Sequence, residues 1–178
     1  MNKDLLKGIT RTHMLMTLLF TVFLIVSFVS FHKLHIIDTW PAMFAIFYFF
    51  IFEFKKEKII TIFAGAFVGL LIGLALPSAM GCLVPIFGAE NSLYLFVGIA
   101  IFFVILLGPV APALFNPITF TYAYLSVINA KSIPSNWLNW LLLMIVGGGI
   151  LVGGIYGLNC LLRKLGNSNV AETETYHH

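Results

Sequence analysis

Charge is what this sequence has least of. Only 10% of its 178 residues are Asp, Glu, Lys or Arg, against about a quarter in an ordinary soluble domain. So few charges cannot coat a globule in water, which excludes a soluble enzyme. The basic residues fall in short scattered clusters, so the formal net charge of +3 makes no basic face for nucleic acid. Cysteine is scarce too. Cys82 and Cys160 are the only two, and the spans read below set them most of a bilayer apart, out of reach of a disulfide. Metal ligands are missing: His32 and His35 sit beside the membrane, His13 lies on the other side, and nothing completes a set. No Ser/His/Asp, Cys/His or phosphate-loop pattern has the context its chemistry needs. The sequence therefore offers no catalytic residue, metal or cofactor and does not read as an enzyme.

What is present is apolar: 60% of the residues are hydrophobic and the mean hydropathy is +1.01. A membrane helix needs about 20 apolar residues. Six segments qualify, at Met14–Phe31, Ile37–Phe54, Ile59–Met80, Ser92–Leu107, Val110–Ile128 and Trp137–Leu162. The fold expected is all-α: a polytopic bundle of six transmembrane helices over residues 14–162. A cytoplasmic segment, 1–13, precedes it, and a polar tail, 163–178, reads as disordered. The rival count joins the fourth and fifth segments, parted only by Gly108-Pro109, into one kinked helix with a re-entrant stretch. The first segment is not a signal peptide, because its exit Ser27-Phe28-Val29-Ser30-Phe31 lacks a small-x-small cleavage site.

Charge placement tests the count. With six spans and both termini cytoplasmic, Lys3, Lys7, Arg11, Lys55, Lys56, Lys58, Arg163 and Lys164 lie inside, and Lys33 and Lys131 outside. Five spans fit the positive-inside rule less well. Trp40, Tyr94, Trp137 and Trp140 then fall near the outer interface, which suits amphipathic rings. Asp38, Glu53 and Glu90 all lie near span ends. A charge at mid-membrane costs roughly 2.5–3.5 kcal/mol or more and usually marks ion coupling. Its absence points away from a carboxylate-based symporter and towards a small neutral solute or a passive path.

Two glycine series recur at helical spacing: Gly65, Gly69 and Gly73 in the third segment, and Gly149, Gly153 and Gly157 in the sixth. Each series falls on one helix face and permits close helix packing. Pro41-x2-Phe44-x3-Tyr48 in the second segment matches Pro117-x2-Phe120-x3-Tyr124 in the fifth. The features of segments one to three thus recur in order in four to six. An odd number of spans per half implies an inverted 3+3 repeat, with halves 14–80 and 92–162, a transporter and channel pattern. Chance matching is the rival, since Phe is abundant. The fifth segment is the least regular and most polar. Pro41, Tyr48, Asn116, Pro117, Thr119 and Tyr124 are the candidates to line a solute path. The alternative is a kinked packing helix whose hydroxyls bond its own carbonyls. A bundle this small suits a homo-oligomer in the lipid bilayer.

The chain also resembles a family. Trp40-x-Ala42-x-Phe44-x3-Tyr48-Phe49 is followed by a lysine-bearing turn and the small-residue stretch Ala64–Gly73. Then come the pair Leu95–Leu107 and Ala111–Ala123, with Phe115-x-Pro117-x2-Phe120, and a glycine-rich last span. Over residues 36–160 this is similar to the small bacterial inner-membrane proteins grouped as domain of unknown function 1097, although Pro109-x2-Pro112 departs from their pattern. The resemblance implies a six-span protein of the bacterial inner membrane and brings no substrate or catalytic residue. Two functions stay open: a channel or transporter for a small neutral solute, or an accessory protein that binds another membrane component.

The orientation has a direct test. An impermeant thiol reagent on intact cells is expected to label Cys82 and spare Cys160; preferential labelling of Cys160 would reverse the topology.

Overall fold

The computed structural model describes the backbone of residues 11–175 and the side chains of 14, 15 and 17–161. Residues 1–10 of the expected N-terminal segment and the side chains of the tail 163–178 fall outside that description. The described chain is all-helical, with no strand. Contacts divide it into two units: residues 40–149, and residues 1–39 together with 150–178.

In the second of these units, helix α1 (Arg11–Lys33) is apolar from Met14 to Phe31 apart from hydroxyls, three of which bond its own carbonyls. Thr21 donates to Thr17 O, Ser27 to Phe23 O and Ser30 to Val26 O, which lets an apolar helix carry polar side chains without unpaired groups. It ends in a Schellman turn: Ile36 N–H bonds Phe31 O across His35, which stands at φ 56°. The Phe23 ring occupies the space beside Gly154, where a β-carbon would lie 2.5 Å from it.

The larger unit starts with α2 (Trp40–Ile51). Proline fits the first turn of a helix, where its missing N–H is not needed, and Pro41 stands there. The helix closes in a second Schellman turn, in which Phe54 N–H bonds Phe49 O and the two rings meet at 5.7 Å. Glu53 and Phe54 both have positive φ. The second apolar segment is therefore helical for 12 residues only, because a turn at each end cuts it short. Glu53 pairs with Lys55 at 2.8 Å, which holds the Glu53 carboxyl below its ordinary pKa.

Next come α3 (Ile59–Phe87) and α4 (Ala89–Leu107), joined by Gly88 alone. Gly88 has φ 77°, a conformation that glycine adopts without strain. Both helices run into what the sequence suggested was a loop, and Cys82 lies within α3. At 1.5 Å per residue α3 is about 44 Å long, whereas α2 is about 18 Å.

Helix α5 (Pro117–Ile128) starts seven residues later than its apolar segment. Pro109 and Pro112 withhold backbone donors, and Pro117 forces the residue before it out of the helical region. Asn116 accordingly stands at φ −152°, ψ 177°. Then follow α6 (Ile133–Leu142), with Pro134 in its first turn, a π-helical stretch (Leu143–Gly147), and α7 (Gly148–Thr175). Among the described residues, the runs Lys56–Phe87, Ala89–Leu107 and Ala130–Leu161 are long and apolar enough to cross a membrane.

The main contact of the larger unit joins α3 to α5. A β-carbon on Gly65 would lie 2.9 Å from the Asn116 amide, and one on Gly69 would lie 2.5 Å from Thr119 O. One on Gly73 would meet Ser126 Cβ. Rising numbers meet rising numbers, so α3 and α5 run parallel. Gly149, Gly153 and Gly157 differ: no described atom lies within 4 Å of the place where their β-carbons would stand. The two glycine series thus have different surroundings. Gly69→Ala is expected to lower the thermal unfolding midpoint in detergent, at an overpacking cost of about 1–3 kcal/mol. Gly153→Ala is expected to leave it unchanged or raise it, since alanine favours a helix by up to ~1 kcal/mol.

Candidate functional site

The polar stretch at the start of α5 is where the sequence placed a solute path. Asn116 is its centre. Asn116 Oδ1 accepts from Ile118 N–H at 2.9 Å and from Thr119 N–H at 3.4 Å. Its Nδ2 donates to Pro112 O at 3.1 Å and to Ala113 O at 3.0 Å. Thr119 Oγ1 donates to Leu114 O and accepts from Asn116 N–H at 3.3 Å. The pair forms a capping box, which satisfies N–H groups that a helix N-terminus otherwise leaves unpaired. It also satisfies three carbonyls of the irregular stretch before it. A broken helix in a transporter presents its free N-terminal N–H groups to substrate. Here Asn116 has already taken those of Ile118 and Thr119, and Phe120 N–H bonds Asn116 O.

The remaining candidates lie on two antiparallel helices. The Tyr122 hydroxyl, on α5, donates to Pro41 O in α2 at 2.5 Å. The Tyr48 hydroxyl, on α2, lies 2.5 Å from Thr121 Oγ1 and 3.5 Å from Pro117 O. Tyr122 thus bonds the first-turn proline carbonyl of α2, and Tyr48 reaches that of α5 through Thr121. Thr121 Oγ1 itself donates to Pro117 O at 3.0 Å. It therefore accepts from Tyr48. Tyr124, the counterpart of Tyr48 in the sequence match, reaches no such partner. It is half exposed and stacks on Phe120 with ring centres 6.1 Å apart.

The structure brings Tyr48 to Pro117, sets Pro41 against Tyr122 instead, joins Asn116 to Thr119, and leaves Tyr124 apart from them, stacked on Phe120. Tyr122 is wholly buried. Its ring lies against Trp40 at 5.7 Å and Phe44 at 6.5 Å. Trp40 in turn meets Trp140 edge-on at 5.3 Å, and its indole N–H has no acceptor among the described residues. Trp40 and Trp140 therefore serve the helix contacts as well as any interface. Thr121 and Tyr122 belong to the polar stretch read from the sequence but were not among its candidates, and Ser126 was passed over. Their signal was available: Asn116, Thr119, Ala123 and Ser126 recur every three or four residues, the period of a small-residue packing face. Sequence reading also passed over the seam where Gly147 and Gly148 approach Ala42 and Ala45, at 3.2 and 3.0 Å from their added β-carbons.

Two cavities flank α5. One lies among α3, α5 and α6 and is lined by Leu70, Leu74, Ser126, Trp137 and Trp140, among others. The other lies among α3, α4 and α5 and includes Phe96, Val104, Phe120 and Tyr124. Each offers about 20 Å³, room for about one water molecule. Their walls are almost wholly apolar, so neither provides the two to four polar partners that a buried water needs. Neither is a conduit. No group of three or more His, Cys, Asp or Glu among the described residues is placed to hold a metal ion.

No family model, curated protein or solved structure matches the chain.

Asn116→Ala is expected to speed amide hydrogen exchange at Ile118 and Thr119, with a cap loss of about 1 kcal/mol, or roughly fivefold. Asn116→Asp keeps the acceptor oxygens and is expected to preserve protection at those two amides while exposing the carbonyls of Pro112 and Ala113.

Proposed function

We propose that this chain is a multi-pass membrane protein that acts through its helix surfaces, as an accessory component binding another membrane component, without a standing conduit. One observation carries the reading: every polar atom of the Asn116 and Thr119 side chains is engaged with the chain's own backbone. A solute entering there would have to displace hydrogen bonds that hold the start of α5. The proposal includes six spans with both termini in the cytoplasm of a bacterial cell and, in keeping with the motif resemblance, membership of the domain of unknown function 1097 family. In support of the spans, α3 and α5 run parallel and α2 and α5 antiparallel, as a chain crossing six times in alternation requires.

A second reading is a channel or transporter for a small neutral solute. The shortness of α2 and α5 favours it, since interrupted paired helices mark such proteins. In that reading Pro41, Tyr48, Asn116, Pro117, Thr119 and Tyr124 line the path once α2 and α5 part, and the inverted repeat supplies the two halves.

Flux separates the two. Liposomes holding the purified protein are expected to take up a panel of small neutral solutes and anions no faster than empty liposomes. Uptake above that background, abolished by Tyr48→Phe or Asn116→Ala, would replace the accessory reading with the second one.

A further inference from the structure

The last apolar run, Ala130–Leu161, holds 32 residues. As a straight helix it is about 48 Å long, against a hydrocarbon core of about 30 Å. A run that exceeds the core by this much tilts or bends, and sharp bends in helices fall at proline, at π-bulges or at pairs of small residues. Proline occurs in this run only at Pro134, in the first turn of α6. The other two features coincide. Leu143–Gly147 is π-helical, and Gly147, Gly148 and Gly149 follow one another. The Gly148 N–H is divided between Leu143 O and Ile145 O, five and three residues back, where a regular α-helix uses the carbonyl four back. Glycine also supports a helical backbone less than any residue except proline.

The surroundings change across this turn. Before it the run is fixed, with Ile133, Trp140 and Met144 buried. Gly147 and Gly148 lie against Ala42 and Ala45 of α2. At Gly149 the close approach ends: no described atom lies within 4 Å of an added β-carbon there, and residue 149 is the last of the larger unit. The chain passes between the units at 39–40 and at 149–150 only. The first passage follows residues 36–39, which have no regular secondary structure. Both passages leave the larger unit from one place, because Ala42, three residues after Thr39, stands beside Gly147, two residues before Gly149. Two links side by side define an axis about which a body turns without stretching either link.

We propose that Leu143–Gly149 is a hinge, and that the unit of residues 1–39 and 150–178 turns about an axis through this hinge and the 36–39 stretch. Hinges absorb large backbone changes in a few residues at the ends of elements. The irregular hydrogen bonding at Gly148 supplies such residues, and Gly149 has no β-carbon to displace. Helices α2 and α6 stay anchored, through Tyr122 on Pro41 O and through buried Trp140, so the motion leaves the Asn116 cap of α5 intact. The inference does not rest on the accessory reading, since a surface that adapts to a partner and a path that opens would both use the same hinge.

Distances between nitroxide pairs in nanodiscs, read by double electron–electron resonance, test it. Cys82 is native to the larger unit and exposed. In a Cys160→Ser background, Leu161→Cys completes a pair across the hinge and Ile128→Cys a pair within the larger unit. Both positions are more than half exposed, so the labels displace no packed side chain. The pair across the hinge is expected to give two distances, and the internal pair one. Gly149→Ala meets no atom and favours regular helix, and it is expected to shift the ratio of the two populations about fivefold. A single distance across the hinge, as narrow as the internal one, overturns the proposal. So do two distances whose ratio Gly149→Ala leaves unchanged, because the motion then arises elsewhere.

Discussion

The absence of a β-carbon at Gly65, Gly69 and Gly73 is the constraint on which the larger unit depends. Dispersion and close backbone approach, more than hydrophobic burial, hold helices together where the surroundings are themselves apolar. Three glycines one turn apart open a groove in α3, and the small side of α5 lies in it. The groove fixes the position of α5, and with it the neighbours of Asn116, Thr119 and Ser126. It also explains why a helix with so irregular a start is held firmly. Asn116 caps α5 and fills the space beside Gly65 at the same time, so the cap and the seam support each other. The tyrosines then tie α2 to the α5 that α3 has fixed.

Much of this was legible in the sequence. Hydropathy located the apolar segments, and the low charge count fixed their apolar character. The Gly65, Gly69 and Gly73 series was recognisable as a packing face, because a spacing of four admits few other uses. Helix lengths were not legible, because hydropathy reports what a segment is made of and not its backbone. Val110–Phe115 is as apolar as a helix and is not one, owing to Pro109 and Pro112. The stretch Gly81–Asn91 carries loop-like residues and is almost wholly helical, because only Gly88 breaks it. The roles of Asn116 and Thr119 were hidden for a related reason. A polar side chain in an apolar segment serves either a solute or a backbone interrupted nearby, and sequence alone does not show where the interruption falls.

The two glycine series make the same point about symmetry. They match in spacing, and the proline motifs match in order. Yet Gly69 lies against backbone while Gly153 has open space. Tyr48 reaches Pro117, whereas Pro41 is reached by Tyr122 and not by Tyr124, the residue that the match would choose. A helix turns 100° per residue, so a shift of two residues along α5 moves the hydroxyl to the opposite side of the helix. Equivalence of pattern is thus compatible with non-equivalence of contact, and a role for one half does not transfer to the other by alignment alone.

Length and polarity together limit what the chain can do. Helical stretches of about 18 Å do not by themselves cross a hydrocarbon core of about 30 Å, so in the proposed six-span arrangement the non-helical stretches beside α2 and α5 complete the crossing. Asn116 caps the start of α5, a Schellman turn closes α2, and Tyr122 ties the two together at the Pro41 carbonyl. Such an arrangement engages the polar side chains of Asn116 and Thr119 wholly with the chain's own backbone. On the proposed accessory reading, these two side chains are not offered to a solute. The scarcity of charge that marks the sequence is in keeping with that reading. Polar side chains engaged with the chain's own backbone leave recognition, on that reading, to the helix surfaces.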